Sequence, residues 1–326
     1  MSRLFEKFTV GNQEIIALSD GAPDRALGGF FNGVDPALWT AALGIAGPDQ
    51  GVPFNFGTFL ISGGGRNVLV DSGFGAPAKA MGILGGGELD LRLAEAGVKP
   101  GEITDVIHTH LHGDHIGWNV VKGADGADTL SFPNATYHVA ARELDYWLNG
   151  APKDDDRTKT AAYHTVPIQA AGHIKTFDGD VEVLPGISAI ATPGHTPGHT
   201  SFIVSSAGAE VLIVGDAAHH PVHFEHHDWI PGVDLDPAES TRSRGKISAL
   251  AVDIAKICKA IGAKVAISDP FDLEATSKIL TSFMAERGSL KVLIMRQICA
   301  LSPEKKGKKQ KTKKHLPKFM YKDTKV

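Results

Sequence analysis

The pattern His-x-His-x-Asp-His at residues 110–115 places three imidazoles and one carboxylate within six residues. It follows an apolar stretch that ends at Ile107, so a buried strand is expected to deliver it to a sheet edge. Two histidines at i and i+2 can reach one metal ion from an extended loop, and Asp114 and His115 can face a second one. Nitrogen and oxygen donors of this kind suit zinc, and also manganese, iron or cobalt. The pattern therefore predicts a metal site.

Two later segments repeat this order of an apolar strand followed by a chelating side chain. In Thr-Pro-Gly-His at residues 192–195, a proline and a glycine favour a tight turn that presents His195 beyond the strand end. Residues 211–214 are apolar and precede Gly215 and Asp216, so Asp216 is expected where a strand leaves its sheet. A carboxylate has two oxygens and is suited to bridge two cations.

Together these motifs resemble those of the metallo-β-lactamase-fold hydrolases. Within that family they are similar to the branch of N-acyl-homoserine lactonases and methyl parathion hydrolase. The likeness runs from about Phe5 to about Ile267 and includes the apolar segments 56–61 and 68–73. The resemblance implies an α/β fold, a four-layer αβ/βα sandwich, with metal ligands on loops at strand ends.

The resemblance also implies a ligand set and a mechanism. It assigns ligands to two divalent metal ions, most simply Zn²⁺: His110, His112 and His195 to the first, Asp114 and His115 to the second, and Asp216 to both. A hydroxide held between the cations would be the nucleophile, because a bound divalent metal lowers the pKa of water to about 7. Asp114 would orient it and pass a proton to the leaving group. Asp71 and His199 are expected to orient ligands, with a purely structural His199 as the alternative.

The chain departs from the family pattern at two positions. The family supplies a last histidine to the second metal from the loop after a late strand, and residues 266–272 contain none. Asp269 is the nearest chelating residue and is predicted to substitute, with His219, His220 and His223 as other candidates. Lactonases of this branch often carry a tyrosine three residues after the bridging aspartate. That position is His219 here, predicted to donate a hydrogen bond to a carbonyl oxygen.

Composition and charge suggest how the chain is divided. Its 326 residues, 42% of them hydrophobic, suffice for one layered α/β domain, which we expect over residues 1–302. Residues 303–326 hold ten lysines against one glutamate and one aspartate, so this tail carries +8 and the remainder −12. Such a run is predicted to be disordered. It either binds nucleic acid, acts as a nuclear address, or is a solvated tail or foreign addition.

Other features concern the cellular compartment. Residues 1–20 lack the apolar core of a secretory signal, and no stretch approaches the about 18 apolar residues of a membrane span. The two cysteines, Cys258 and Cys299, do not make a disulfide scaffold. We expect a cytoplasmic protein without membrane contact, and a homodimer is allowed.

The coarse secondary structure is a mixture of strands and helices. Strands are predicted at 13–19, 57–61, 67–71, 105–108, 136–139, 201–205, 211–214 and 264–267, and helices at 88–96 and 140–148. Apolar residues that step by three and four from Ile247 to Ile261 predict a further helix, ended by Gly262. Residues 21–53, rich in glycine, proline and aromatics, are interpreted as a long loop. It either walls a pocket, forms a dimer arm or packs over the sheet edge.

Aromatic residues near the motifs bear on the substrate. Phe30, Phe31, Trp118, Phe224 and Trp229 are predicted to wall an apolar pocket, which favours an uncharged ester, lactone or phosphotriester. The leading hypothesis is thus a zinc-dependent hydrolase, a quorum-quenching lactonase or an esterase. A metal-dependent nuclease is the alternative, although the acidic body lacks the positive track that a phosphate backbone needs. A catalytically impaired single-metal protein and an iron-dependent oxygen-consuming enzyme also remain open.

Overall fold

The structure of this protein is a computed structural model that describes residues 5–83, 85–260, 264–268 and 291–295. The chain divides into two units, residues 1–250 and 251–326. The predictions made for Asp269, for Gly262, for Cys299, for the side chain of Cys258 and for the 303–326 tail lie outside what the structure describes.

Strands dominate the described part of the first unit. They are β1 (Phe5–Val10), β2 (Gln13–Ser19), β3 (Asp24–Ala26), β4 (Gly51–Pro53), β5 (Gly57–Gly63), β6 (Arg66–Val70), β7 (Asp105–Ile107), β8 (Val120–Lys122), β9 (Asp128–Leu130), β10 (Thr136–Ala140), β11 (Ile174–Phe177), β12 (Val181–Leu184), β13 (Ile187–Ala191), β14 (Thr200–Ser206) and β15 (Ala209–Ile213). The helices are α1 (Pro36–Leu43), α2 (Ala76–Ala80), α3 (Leu89–Glu95), α4 (Gly113–Ile116), α5 (Ala141–Asp145), α6 (Asp156–Ala170) and α7 (Pro237–Ala260).

A mixed seven-stranded sheet has the order β1-β2-β5-β6-β7-β10-β11. Its first four strands pair antiparallel, and β6, β7, β10 and β11 run parallel. Parallel neighbours end at the same sheet edge. The residues that follow β6 and β7 are therefore side by side, although more than 30 residues separate them in the chain.

The second sheet is antiparallel, with the order β12-β13-β14-β15. One apolar cluster lies between the two sheets and includes Ile15, Ile61 and Val70 from the first sheet with Phe202 and Val204 from the second. Burial of this apolar area stabilises the packing of the two sheets.

Helices lie against both sheets. On its other face the seven-stranded sheet is covered by α3 and α6, through Leu89, Leu93 and Ile168. Helix α7 meets the end of β13, where the Ser243 hydroxyl donates to the carbonyl of Pro193 at 2.6 Å. Two packed sheets with helices against each agree with the predicted four-layer sandwich.

Most predicted elements are confirmed within one or two residues at each end. The glycine turn at 63–65 is a hairpin between β5 and β6, and Gly64 and Gly65 have the positive φ angles, 57° and 78°, that a tight hairpin needs. The predicted helix at 140–148 is shorter, because α5 gives way to a π-helical turn over Tyr146–Gly150.

The interpretation of residues 21–53 as a loop was wrong. This segment contains α1 and the paired strands β3 and β4. Asp35 caps α1 by accepting the Ala37 N–H at 2.9 Å, and Gly44 ends it in the left-handed conformation. Local capping signals were present and outweighed the loop-like composition.

In the second unit the structure describes the continuation of α7 to Ala260 and two strands, β16 (Lys264–Ser268) and β17 (Lys291–Met295). These two strands pair in parallel. The predicted strand at 264–267 is thus confirmed. Among the described residues, none of the helices has the length and apolarity needed to cross a bilayer.

Candidate metal centre

The His-x-His-x-Asp-His loop leaves the end of β7 and is fastened to the residue that follows β6. The Asp71 carboxylate accepts the Thr109 N–H at 2.8 Å and the Thr109 hydroxyl at 2.7 Å. Nδ1 of His115 lies 2.8 Å from the same carboxylate. Asp71 has φ of 59°, a left-handed conformation that costs energy for a residue with a side chain. The prediction that Asp71 orients ligands agrees with these contacts.

The turn after β13 brings His195 towards this loop. Gly194 has φ of 136°, and a Cβ there would lie 2.2 Å from the Ser240 nitrogen, so only glycine fits. Nδ1 of His195 lies 3.0 Å from Asp234 Oδ1, and Arg244 donates to the other oxygen of Asp234 at 2.7 Å. The side chains of Asp234 and Arg244 are fully buried, so they form a rigid support for His195.

Asp216 lies in a 3-10 turn, Gly215–Ala217, after β15. Its backbone N–H donates to Nε2 of His199 at 3.0 Å, and Nδ1 of His199 is 2.9 Å from the Thr192 hydroxyl. Both ring nitrogens of this buried histidine are therefore used. The hydrogen bond to Asp216 is compatible with both predicted alternatives, an orienting residue and a structural histidine.

Three imidazoles converge on one point. Nδ1 of His112 lies 3.0 Å from Nε2 of His110 and 2.9 Å from Nε2 of His195. The two oxygens of Asp216 face two sides: Oδ2 is 3.4 Å from His195 Nε2, and Oδ1 is 3.4 Å from His115 Nε2. The structure thus brings together five of the predicted metal ligands.

The hydrogen bonds of this cluster test whether a cation fits it. The Thr109 hydroxyl gives its proton to Asp71, so Nδ1–H of His110 must donate to Thr109 at 3.0 Å and Nε2 keeps its lone pair. In the same way Nδ1–H of His195 donates to Asp234, which leaves its Nε2 unprotonated. Both lone pairs point at Nδ1 of His112, whose Nε2 is buried without a partner. A single proton on Nδ1 of His112 cannot form good hydrogen bonds to both lone pairs at once. A divalent cation can bind all three nitrogens through their lone pairs.

Protonation favours the same conclusion. Burial, together with mutual repulsion among neighbouring imidazoles, lowers the pKa of His110 and His112 well below its ordinary value. Both rings are therefore neutral near pH 7, which is the form that binds metal. Burial opposes a charge on Asp216, but His115 and His219 hold its pKa well below the usual range, so this carboxylate is ionised.

The second side of the cluster has fewer donors among the described residues. Burial disfavours a charge on His115, yet the carboxylates of Asp216, Asp71 and Asp114 raise its pKa well above the ordinary value. The nearest oxygen of Asp114 is 3.9 Å from His115 Nε2, and this side chain is 37% exposed. Asp114 belongs to none of the three described groups whose donor atoms lie within 4.8 Å of one another. Its assignment as a ligand stays a prediction.

The histidines after Asp216 have three different environments. Nε2 of His219 lies 3.3 Å from Asp216 Oδ2, the oxygen that also faces His195. Nδ1 of His220 accepts the N–H of Val222. His223 is fully buried, and its Nδ1 accepts the N–H of His219. Of the three, His219 therefore joins the cluster, on the side of the first predicted metal rather than the second.

The predicted aromatic pocket wall is only partly present. Phe30 packs edge-on against His219, with ring centroids 5.5 Å apart. Phe31 and Trp229 are instead buried in an apolar cluster below it. The indole of Trp118 donates to Asp20, and Phe224 is exposed. Of these five, Phe30 is the residue whose ring packs against a histidine of the cluster among the described aromatic pairs.

Three supporting residues were missed at the sequence level. Asp234 and Arg244 hold His195, and the fully buried Glu143 accepts hydrogen bonds from both histidine loops. These residues are far from the motifs in sequence and have no local spacing pattern. Glu143 stands in a short helix with Arg142 and Asp145, so its charge is not a distinguishing signal either.

Comparison with known proteins agrees with this geometry. Residues 58–255, more than half of the chain, match the sequence profile of the metallo-beta-lactamase superfamily. The chain belongs to the metallo-beta-lactamase superfamily. This membership confirms the family and the fold predicted from the three motifs.

Curated relatives within the superfamily are lactonases. The N-acyl homoserine lactonase AiiA of Bacillus thuringiensis subsp. kurstaki is 32% identical over 146 residues, 44% of this chain and 50% of that protein. The N-acyl homoserine lactonase AttM of Azorhizobium caulinodans is 30% identical over 165 residues, 48% of this chain and 56% of that protein. The chain thus spans about half the length of the curated relatives it matches.

Solved structures extend the likeness over more of the chain. AidC, a dizinc quorum-quenching lactonase in complex with a product, is 26% identical with a TM-score of 0.66, covering 77% of this chain and 87% of that one. The hydrolase AbOPH is 25% identical with the same TM-score, covering 78% and 88%. The similarity to lactonases in both sequence and structure confirms the predicted resemblance to the lactonase branch.

Proposed function

We propose that this protein is a metal-dependent hydrolase that opens an uncharged lactone or ester. The observation that carries the proposal is the convergence of His110, His112 and His195 beside Asp216, with more lone pairs than protons at one point. The similarity to proteins named N-acyl homoserine lactonases supports a lactone as the substrate class.

The donor set suggests how cations would be held. The first would bind the three converging imidazoles and Asp216 Oδ2, and the second would bind His115 and Asp216 Oδ1, with Asp114 as a further predicted ligand. Nitrogen-rich donors favour zinc. Bound in this way, two divalent cations would supply hydroxide near neutral pH and polarise the substrate oxygen.

The chain's own groups have distinct tasks in this proposal. Asp216 divides its two oxygens between the two sides and so fixes their separation. Asp114 is a partly exposed carboxylate beside His115, in a position to pass a proton to a leaving alkoxide. His219, predicted as a donor to a carbonyl oxygen, stands against Asp216 with its Nδ1 buried and unpartnered.

The surroundings favour an uncharged, partly apolar substrate. Phe30 contacts His219 and packs against Phe54, with ring centroids 5.4 Å apart, so an apolar edge borders the cluster. Residues 1–302 carry a net charge of −12, which disfavours a polyanion such as a nucleic acid. The basic tail is the one segment that suits nucleic acid, and we propose no role for it in hydrolysis.

The test is ring opening of N-hexanoyl-L-homoserine lactone by zinc-loaded protein. The reaction is monitored through the release of protons in a weak buffer. We expect turnover that is absent in the His195→Ala variant at equal metal. A nitrophenyl ester, a phosphotriester and single-stranded DNA complete the panel. Cleavage of DNA alone would replace the proposal by the nuclease alternative. Full metal binding without turnover of any substrate would support the impaired single-metal alternative.

A further inference from the structure

Glu143 on α5 is a fully buried carboxylate that accepts four hydrogen bonds. Its Oε1 accepts the backbone N–H of Leu111 at 3.0 Å and the indole N–H of Trp147 at 2.7 Å. Its Oε2 accepts the hydroxyl of Thr196 at 2.7 Å and the backbone N–H of Gly198 at 2.9 Å. None of these bonds goes to a candidate metal ligand.

The donors nevertheless belong to the two loops that supply the first cation site. Leu111 lies between His110 and His112, while Thr196 and Gly198 follow His195 within three residues. One oxygen of Glu143 thus holds each loop. The two loops are about 80 residues apart in the chain, and this carboxylate joins them.

A metal site depends on such support because its ligands must keep their positions within about half an ångström. Nε2 of His110 and Nε2 of His195 lie 3.0 and 2.9 Å from Nδ1 of His112. Any movement of one loop relative to the other changes these distances directly. We propose that Glu143 is a positioning residue, which fastens the His110–His112 loop to the His195 loop and so sets the geometry of the first cation site. This rests on the proposed function only in treating the three imidazoles as a cation site.

Packing at Gly198 supports a role in registering the two loops. A Cβ on this glycine would lie 2.2 Å from the backbone nitrogen of Glu143 and 2.6 Å from its Cα. The His195 loop therefore meets the start of α5 backbone to backbone. Because of this close contact, the carboxylate lies directly between the two loops.

Asp20 provides a matched control. It is also fully buried and accepts four hydrogen bonds, from the backbone N–H groups of Phe74, Gly75 and Glu88 and from the indole of Trp118. Its donors lie outside the loops of the three imidazoles. Loss of this carboxylate should affect the stability of the fold without changing the first cation site.

The experiment compares wild type, Glu143→Gln and Asp20→Asn, each stripped of metal and titrated with Co²⁺ against a competing chelator. Glutamine keeps the shape of Glu143 but turns an NH₂ group towards two of its four donors. We expect Glu143→Gln to raise the dissociation constant of the first Co²⁺ ion by about 10–100-fold and to change the visible absorption of the bound ion. Asp20→Asn should leave both unchanged, although both variants should lower the unfolding midpoint of the metal-free protein.

Thr196→Val is the variant to use if Glu143→Gln does not fold, because it removes one of the four donors and leaves the carboxylate in place. It should weaken the first equivalent in the same direction and to a smaller extent. Equal effects of Glu143→Gln and Asp20→Asn, or an unchanged first equivalent in Glu143→Gln, would overturn the positioning role. If Glu143→Gln is unfolded, an unchanged first equivalent in Thr196→Val would overturn it.

The same data separate this inference from the proposed function. Wild-type protein that binds Co²⁺ at the three imidazoles but hydrolyses nothing would refute the proposed hydrolase and leave the role of Glu143 standing. Wild-type protein that binds no Co²⁺ would refute both.

Discussion

The two sides of the candidate metal centre differ in how firmly their ligands are held. On the first side, His110 and His195 donate from Nδ1 to Thr109 and to Asp234 and direct Nε2 at a common point. On the second side, His115 is held by Asp71, while the side chain of Asp114 is 37% exposed and its Oδ2 lies 3.9 Å from Nε2 of His115.

This difference indicates that the first side is the more rigid of the two. Buried hydrogen-bonded partners fix the first side before any cation arrives, so little ordering is needed on binding. The second side depends on Asp216, whose other oxygen already faces the first side. We therefore expect sequential binding, with the first cation bound more tightly than the second.

Removal of a first-side ligand should have the largest effect. His195→Ala takes away one of three converging nitrogens and the partner of Asp234, so we expect loss of the tight metal equivalent and a fall in kcat of more than about 100-fold, since loss of a supporting group alone costs 10–100-fold. Metal content by plasma mass spectrometry and steady-state kinetics measure this. Retention of the tight equivalent would contradict the assignment.

The support of the first side should come next. Arg244 is fully buried and donates to Asp234 and to the carbonyls of Ala217, His227 and Trp229. Arg244→Met leaves the buried Asp234 carboxylate without its cationic partner and with only the hydrogen bond from His195, so we expect about 3–5 kcal/mol loss in the free energy of unfolding. Urea titration of the metal-free protein measures it.

Arg242 is the matched control on the same helix. It pairs with Glu239 at 2.6 Å but is 64% exposed, so Arg242→Met should lower the free energy of unfolding far less than Arg244→Met. A similar loss in both variants would show that burial of the Arg244 pair has no special weight.

The free energy of unfolding should depend on pH through His164, which hydrogen bonds link to the second side. Its Nδ1 accepts the Val120 N–H, and its carbonyl accepts from Asn119, which in turn contacts His108 beside Asp71. Burial, with a smaller contribution from the neighbouring His108, lowers the pKa of His164 to about 4.

In the unfolded chain this pKa is about 6.5, so between the two values the unfolded state holds a proton that the folded state lacks. The stabilising contribution is complete above about pH 6.5 and is lost as the pH falls towards 4, on the order of 3 kcal/mol in total. Urea titrations at several pH values should show a shallower acid decline in metal-free His164→Gln than in wild type. Parallel declines would disprove the contribution of His164.

Asp114→Asn should have the smallest effect. Because this carboxylate is exposed and distant from the other donors, we expect about a tenfold weaker second equivalent with the first unchanged. Calorimetric titration with Zn²⁺ resolves the two equivalents. Loss of the first equivalent instead would show that the two sides are not separable.

Strand-end chemistry was predictable from the sequence. His110, His195 and Asp216 each follow an apolar strand, so their positions at strand ends follow from the pattern. Their convergence does not, because His110 leaves the seven-stranded sheet while His195 and Asp216 leave the antiparallel sheet. The family resemblance added which of them share a cation.

The supporting groups were not predictable in the same way. Asp234 is 39 residues from His195, and Glu143 is 32 residues from Leu111, so only the folded chain brings each pair together. Helix α1 is different, because Asp35 and Gly44 are ordinary capping signals within the segment, whereas the prediction of a loop followed from composition.

Stepwise Zn²⁺ titration of the metal-free protein against a competing chelator tests the central claim most directly. Two dissociation constants separated by at least about tenfold, with the tighter one erased by His195→Ala, are predicted by a preorganised first side. Two equal constants, or a tight equivalent that survives His195→Ala, would contradict it.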